Sequence, residues 1–192
     1  MLTTSNSEYD RLFRLSRQHG MSVPDTVRHG SPQVIFEDYL VIGFNYRMTD
    51  VQAAVGRKQL ERLPQLVSRR RALAAGYAEL LADVEGLGLP VEPEWARSNW
   101  QSYCVRLPDW VEQKAVMQGL LDQGISTRRG IMCSHREPAY AKESWGAVGT
   151  LVESESAQDQ CVLLPLFHQL TFEEQQLIAS RLRASLAAVL QS

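Results

Sequence analysis

Three helix starts are written into this sequence, and they fix its layout more tightly than any other feature. In a capping box a short polar residue at the N-cap and a Glu or Gln three positions later satisfy each other's backbone amides. Thr49-Asp-Val-Gln52, Asp109-Trp-Val-Glu112 and Thr171-Phe-Glu-Glu174 all have this spacing. The first predicts a helix over 50–63. Pro64 has no backbone donor, so it kinks that helix or opens a second one, in which Leu66, Leu73, Tyr77, Leu80 and Val84 recur at helical spacing until Gly86 and Gly88 end it. The second box predicts a helix ended by Gly124, and the third a helix running to about Leu190.

Strand signals alternate with these helices. Tyr103, Val105 and Leu107 alternate with Ser102, Cys104 and Arg106, Cys161-Val-Leu-Leu164 reads as a buried strand stopped by Pro165, and Ile125-Ser-Thr-Arg128 reads as a third. An opening helix over 8–18 carries Tyr9, Leu12, Phe13 and Leu15 on one side and stops at Gly20. Residues 21–46 form a long irregular stretch with strand-like runs at Val34-Ile-Phe36 and Tyr39-Leu-Val-Ile42, and Met132 to Thr150 reads as a loop. This alternation, without internal repeats, predicts an α/β fold.

Composition narrows the functions. With 20 basic and 22 acidic residues the net charge is −2, so the field needed to hold a nucleic acid or an acidic membrane is missing. No stretch of about 18 apolar residues predicts a membrane span, and the N-terminus has no basic, apolar leader. Cys104, Cys133 and Cys161 form no Cys-x-x-Cys pair and leave one unpaired in any disulfide scheme, which fits a reducing cytoplasm. Cys133-Ser-His135 has two ligand types but no second pair, so no metal is expected. On a helix Arg69-Arg-Arg71 spreads around most of the circumference and reads as a solvated face, while Leu73, Tyr77 and Leu80 read as core.

Gly43-Phe-Asn45-Tyr-Arg47-Met-Thr-Asp-Val-Gln-Ala-Ala-Val-Gly-Arg-Lys-Gln-Leu60 resembles the middle of the DegT/StrS family of pyridoxal-phosphate-dependent nucleotide-sugar aminotransferases. Around it, in the family's order, stand Arg17-Gln-His-Gly-Met, Gly124-Ile-Ser-Thr-Arg-Arg-Gly-Ile, His135-Arg-Glu-Pro-Ala-Tyr140 and Leu163-Leu-Pro-Leu-Phe. The resemblance covers the whole chain but only the C-terminal half of a typical member. It implies a partial fold type I aminotransferase, with 1–60 the tail of the large cofactor-binding domain and 61–192 the small C-terminal domain. It also implies a homodimer or a complementing chain, a nucleotide-sugar substrate and an amino donor such as glutamate.

Transamination needs a lysine that holds the cofactor as a Schiff base. The family's lysine lies before the position of Met1, and Lys58, Lys114 and Lys142 do not match it. The chain is therefore expected not to be catalytic alone; a non-catalytic binding or dimerisation module from a split or truncated gene is the alternative. What the resemblance leaves is the accessory part of a site. Asn45 would reach the cofactor phosphate across the dimer, or else tolerate a turn conformation. Arg47 would add a charged contact, or cap a carbonyl. Arg128, His135 and Tyr140 would face the substrate, since guanidinium forks suit a diphosphate and flat rings suit a base or sugar.

Overall fold

The computed structural model describes residues 2–140 and 149–189, and the chain forms two units, Met1–Glu61 and Arg62–Ser192. In the first, the Asn6 side-chain oxygen accepts from the amides of Glu8 and Tyr9 and so opens helix α1 (Ser7–Ser16). No residue of α1 is buried. The irregular stretch holds a short helix, α2 (Asp25–Gly30), and the strand-like runs do not become strands. Val34, Phe36 and Ile42 are 84%, 89% and 94% exposed, and the only pairing is by isolated bridges, Met21↔Tyr39 and Gln18↔Asn45. Residues of high β-propensity make a strand only where a neighbour accepts them, and here the pairing ends after one bridge each.

Helix α3 (Asp50–Leu81) begins at the Thr49 box, which closes as its spacing predicts: Gln52 N–H donates to Thr49 Oγ1 at 3.3 Å and Thr49 N–H to Gln52 Oε1 at 2.9 Å. Pro64 sits inside α3 without ending it. Its fixed φ is helical, and the residue whose carbonyl loses a donor, Leu60, is exposed.

The second unit holds the core. Strands β1 (Tyr103–Arg106), β2 (Arg128–Arg129) and β3 (Cys161–Leu164) form an antiparallel sheet in the order β1-β3-β2. Tyr103 pairs with Leu164 and Val105 with Val162, and all four are buried on one face of the sheet. Against them pack Leu73 and Tyr77 of α3, Val116 and Leu120 of α4 (Gln113–Leu121), and Ile178 and Leu182 of α6 (Phe172–Val189). Tyr77 stacks obliquely on Tyr103, ring centres 5.0 Å apart, and donates its hydroxyl to Pro165 O at 2.9 Å.

Two expectations change here. The Asp109–Glu112 box does not form: Glu112 is the N-cap of α4 without a side-chain bond, and Asp109 pairs with Arg106 at 3.4 Å. Val111 N–H closes a turn onto Pro108 O and holds Asp109 outside the helix. The Thr171 box does form, with Glu174 N–H to Thr171 Oγ1 at 3.2 Å and the reciprocal bond at 2.8 Å. Helix α5 (Val152–Gln160) lies in a segment to which the sequence assigned no element; its sequence carries no apolar stripe, and only Gln158 of it is buried. The third strand is shifted from 125–128 to Arg128–Arg129. No helix among the described residues is long and apolar enough to cross a membrane.

Candidate functional site

Asn45 is set at the Gln18↔Asn45 bridge by bonds on both sides, His19 N–H to Phe44 O at 3.0 Å and Tyr46 N–H to Arg17 O at 2.9 Å. In an antiparallel pair this pattern leaves the two residues directly opposite with their side chains close. Gly43 makes the approach: a Cβ there would stand 2.5 Å from the His19 carbonyl carbon and 2.9 Å from its Cα. Asn45 is exposed, and its Oδ1 accepts from Arg47 Nε–H at 3.2 Å. A guanidinium only donates, so this bond fixes which end of the carboxamide is oxygen. The Asn45 Nδ2 hydrogens have no partner among the described residues. Opposite, the Gln18 Nε2 is buried without one. An anionic oxygen is the acceptor this corner lacks, so the residues present fit the phosphate of pyridoxal phosphate.

Arg47 is not a free cation. Its Nη1 is hydrogen-bonded to Asp25 Oδ2, and Asp25 Oδ1 accepts in turn from Arg28 Nη2 at 3.2 Å, while Arg28 Nη1 bonds Glu37 at 2.8 Å. None of these carboxylates was marked by the sequence motif; only Asp25's place in a stretch dense in turn residues could have drawn attention to it.

The second cluster is dispersed. Arg128, exposed in β2, lines a cavity of about 300 Å³ with Gln101, Ser102, Ser126 and Thr127. His135 lines another, of about 580 Å³, with Cys104, Cys133, Cys161 and Ser154. Tyr140, 50% exposed, lines neither. The loop between them is pinned to α5: His135 Nε2 lies 2.8 Å from Glu155, and Arg136 bonds Asp159 at 2.8 Å. Arg129 pairs with Glu137 at 3.3 Å. That all three cysteines border one cavity was not legible from their wide spacing; the β1–β3 register brings Cys104 and Cys161 to one face. They are free thiols, and burial, with Cys161 alongside, pushes the Cys104 thiol up to about 11, which keeps it protonated and a poor nucleophile. Among the described residues no cluster of three or more His, Cys, Asp or Glu side chains could hold a metal ion.

Lys58 and Lys114 are surface groups. Lys58 pairs with Glu61 at 2.8 Å, Lys114 is exposed on α4, and Lys142 lies outside the described residues. The arginine run is not the solvated face its spacing predicts. Arg69 donates to Leu170 O at 2.5 Å, and Arg71 forks onto Glu92 at 2.7 and 2.9 Å while also reaching Ser98 O. A guanidinium long enough to leave the helix surface finds carbonyls that a helical wheel does not show.

Residues 1–183 match the DegT/DnrJ/EryC1/StrS aminotransferase family. The uncharacterized protein MJ1066 of Methanocaldococcus jannaschii is 26% identical over 179 residues, 91% of this chain and 46% of that protein. The aminotransferase TlmJ from Streptoalloteichus hindustanus is 29% identical, with a TM-score of 0.79 over 98% of this chain and 47% of its own. Spr1654 from Streptococcus pneumoniae in its PMP form shares the fold at 20% identity, with a TM-score of 0.81 over 97% of this chain and 47% of that one. The chain thus spans about half the length of the relatives it matches.

Proposed function

The chain belongs to the DegT/DnrJ/EryC1/StrS aminotransferase family, and on that footing we propose that it serves the transfer of an amino group, from glutamate, onto a keto-sugar nucleotide in amino-sugar biosynthesis. The observation that supports this reading is the Asn45 carboxamide, whose oxygen is taken up by Arg47 so that its N–H groups are left to donate. Bound pyridoxal phosphate supplies the electron sink for the reaction. The contribution of this chain is recognition. Asn45 donates to the cofactor phosphate of a partner subunit, and Arg47 serves that contact by bonding the Asn45 oxygen. Arg128 meets the substrate diphosphate, for which a planar fork is suited, and His135 and Tyr140 meet the sugar or base. Residues 1–60 end the large domain, and 61–192 form the small domain. The setting is a cytoplasmic homodimer or complemented dimer, in keeping with three free thiols.

On this reading none of Lys58, Lys114 and Lys142 holds the cofactor covalently, and these 192 residues by themselves do not turn over. Borohydride reduction of the purified chain with pyridoxal phosphate, followed by adduct mapping, tests this. No stoichiometric adduct at Lys58, Lys114 or Lys142 and no transaminase turnover are expected; stoichiometric labelling of one of them with turnover refutes it. The surface setting of Lys58 and Lys114 also favours a second reading, a non-catalytic binding or dimerisation module. Mixing with a lysine-bearing half of the fold separates the two, since only the aminotransferase reading predicts that activity appears.

A further inference from the structure

We infer that Asp25 and Arg47 are positioning residues that orient the Asn45 carboxamide as an anion donor; this inference rests on the reading of Asn45 as a phosphate ligand. A primary amide offers an acceptor and a donor end of nearly equal size, and free rotation would show an incoming anion its oxygen as often as its N–H groups. Arg47 Nε–H, 3.2 Å from Oδ1, removes that freedom. The guanidinium is itself held by Asp25, whose other oxygen is bonded by Arg28, which is anchored on Glu37. The result is a chain of alternating charge, Glu37–Arg28–Asp25–Arg47, that ends on the amide. Its members are half-buried to moderately exposed, with side-chain exposures of 19%, 34%, 29% and 39%. The carboxylate spends the positive charge of Arg47 on geometry, so Arg47 acts on the anion through Asn45. In this way α2, which the sequence did not reveal, becomes the fixed end of the device.

The test uses side-chain nuclear magnetic resonance of the 192-residue chain, with backbone amides reporting that each variant is folded. Without any ligand, Asp25→Asn and Arg47→Lys should both move the Asn45 side-chain amide signals, and Asp25→Asn should speed exchange of the Arg47 Nε–H about tenfold, the equivalent of one ordinary net hydrogen bond. Asp25→Glu, which keeps the carboxylate, should restore much of both. Unmoved Asn45 signals in both variants overturn the relay. Inorganic phosphate is then titrated while the Asn45 side-chain amide is followed. The wild type should saturate, and Asp25→Asn should bind about tenfold more weakly although it has lost a negative charge. Tighter binding in Asp25→Asn means that the released guanidinium takes the anion itself, and overturns the inference. A wild type whose Asn45 amide ignores phosphate, with the ligand-free shifts as expected, refutes the phosphate-ligand reading and with it the role given to the relay.

Discussion

Gly43→Ala should open the corner that carries Asn45. Real Cβ atoms essentially never come within 3.0 Å of another heavy atom, yet the new methyl would stand 2.5 Å from the His19 carbonyl carbon, with the Gly20 nitrogen nearer still. All of these obstacles are backbone, so no side-chain rotation relieves the overlap and the two segments must part. Parting them breaks His19 N–H to Phe44 O, Tyr46 N–H to Arg17 O and Phe44 N–H to Ser16 O. At about 1 kcal/mol net for each bond the loss is about 3 kcal/mol, or a factor of about 150 in the local opening equilibrium. Amide hydrogen exchange at His19, Phe44 and Tyr46 reads this directly: protection should drop by about that factor, or to the unfolded-chain rate if that floor comes first. Gly56→Ala is the control, because nothing lies within 4 Å of its added Cβ inside α3. Replacing a helical Gly by Ala is worth about 1 kcal/mol, so exchange around residue 56 should slow about fivefold. Protection of the three amides within twofold of wild type in Gly43→Ala would refute the steric argument.

Tyr77→Phe should cost about 1 kcal/mol in urea unfolding, because Pro165 O loses its donor inside the core. Tyr103→Phe should be neutral or stabilising, because the buried Tyr103 hydroxyl has no partner to lose; the reverse order would contradict the packing described here. The Arg71 hydrogen bond, followed by the Ser98 amide and the Arg71 charge, holds the Glu92 carboxyl below its usual range against the opposing effect of burial. A depressed carboxylate stabilises above its unfolded pKa and loses that contribution as pH falls through the folded one, so acid unfolding of Glu92→Gln should show a shallower pH dependence below the ordinary Glu range; an unchanged acid limb would contradict it. Val34, Phe36 and Ile42 are almost fully exposed, with Tyr39 and Tyr46 largely so. Such apolar surface favours association, and light scattering should find oligomers or aggregates of the chain alone, whereas a clean monomer that binds no apolar dye would argue against it.

The parts legible in the sequence are those governed by local rules. The Thr49 and Thr171 boxes close, β3 occupies Cys161–Leu164 as read, and Leu73 and Tyr77 are core because burial follows the helical repeat. The Asp109 box fails because a competing turn at Pro108 captures the same residues. Residues 34–42 were misread because strand propensity needs a partner that a single bridge does not supply. Helix α5 escaped notice because a largely polar helix has no periodic stripe; it is tied down by Arg136 to Asp159 and His135 to Glu155, contacts across twenty or more positions. At the candidate site, the motif pointed to Asn45 and Arg47, while the Asp25 anchor of Arg47 lies 22 residues away, a separation that no local pattern encodes.

The claim on which this account turns is that Asn45 serves a cofactor phosphate, and one measurement bears on it most directly. In dimers of this chain assembled with a lysine-bearing half of the fold, the dissociation constant of pyridoxal phosphate and the melting temperature are compared for wild type and Asn45→Ala. A hydrogen bond to a charged group is worth roughly 1.5–3 kcal/mol, so the account predicts a dissociation constant raised about 10- to 150-fold with an unchanged melting temperature. Unchanged affinity with a lowered melting temperature would make Asn45 a turn residue and contradict the account.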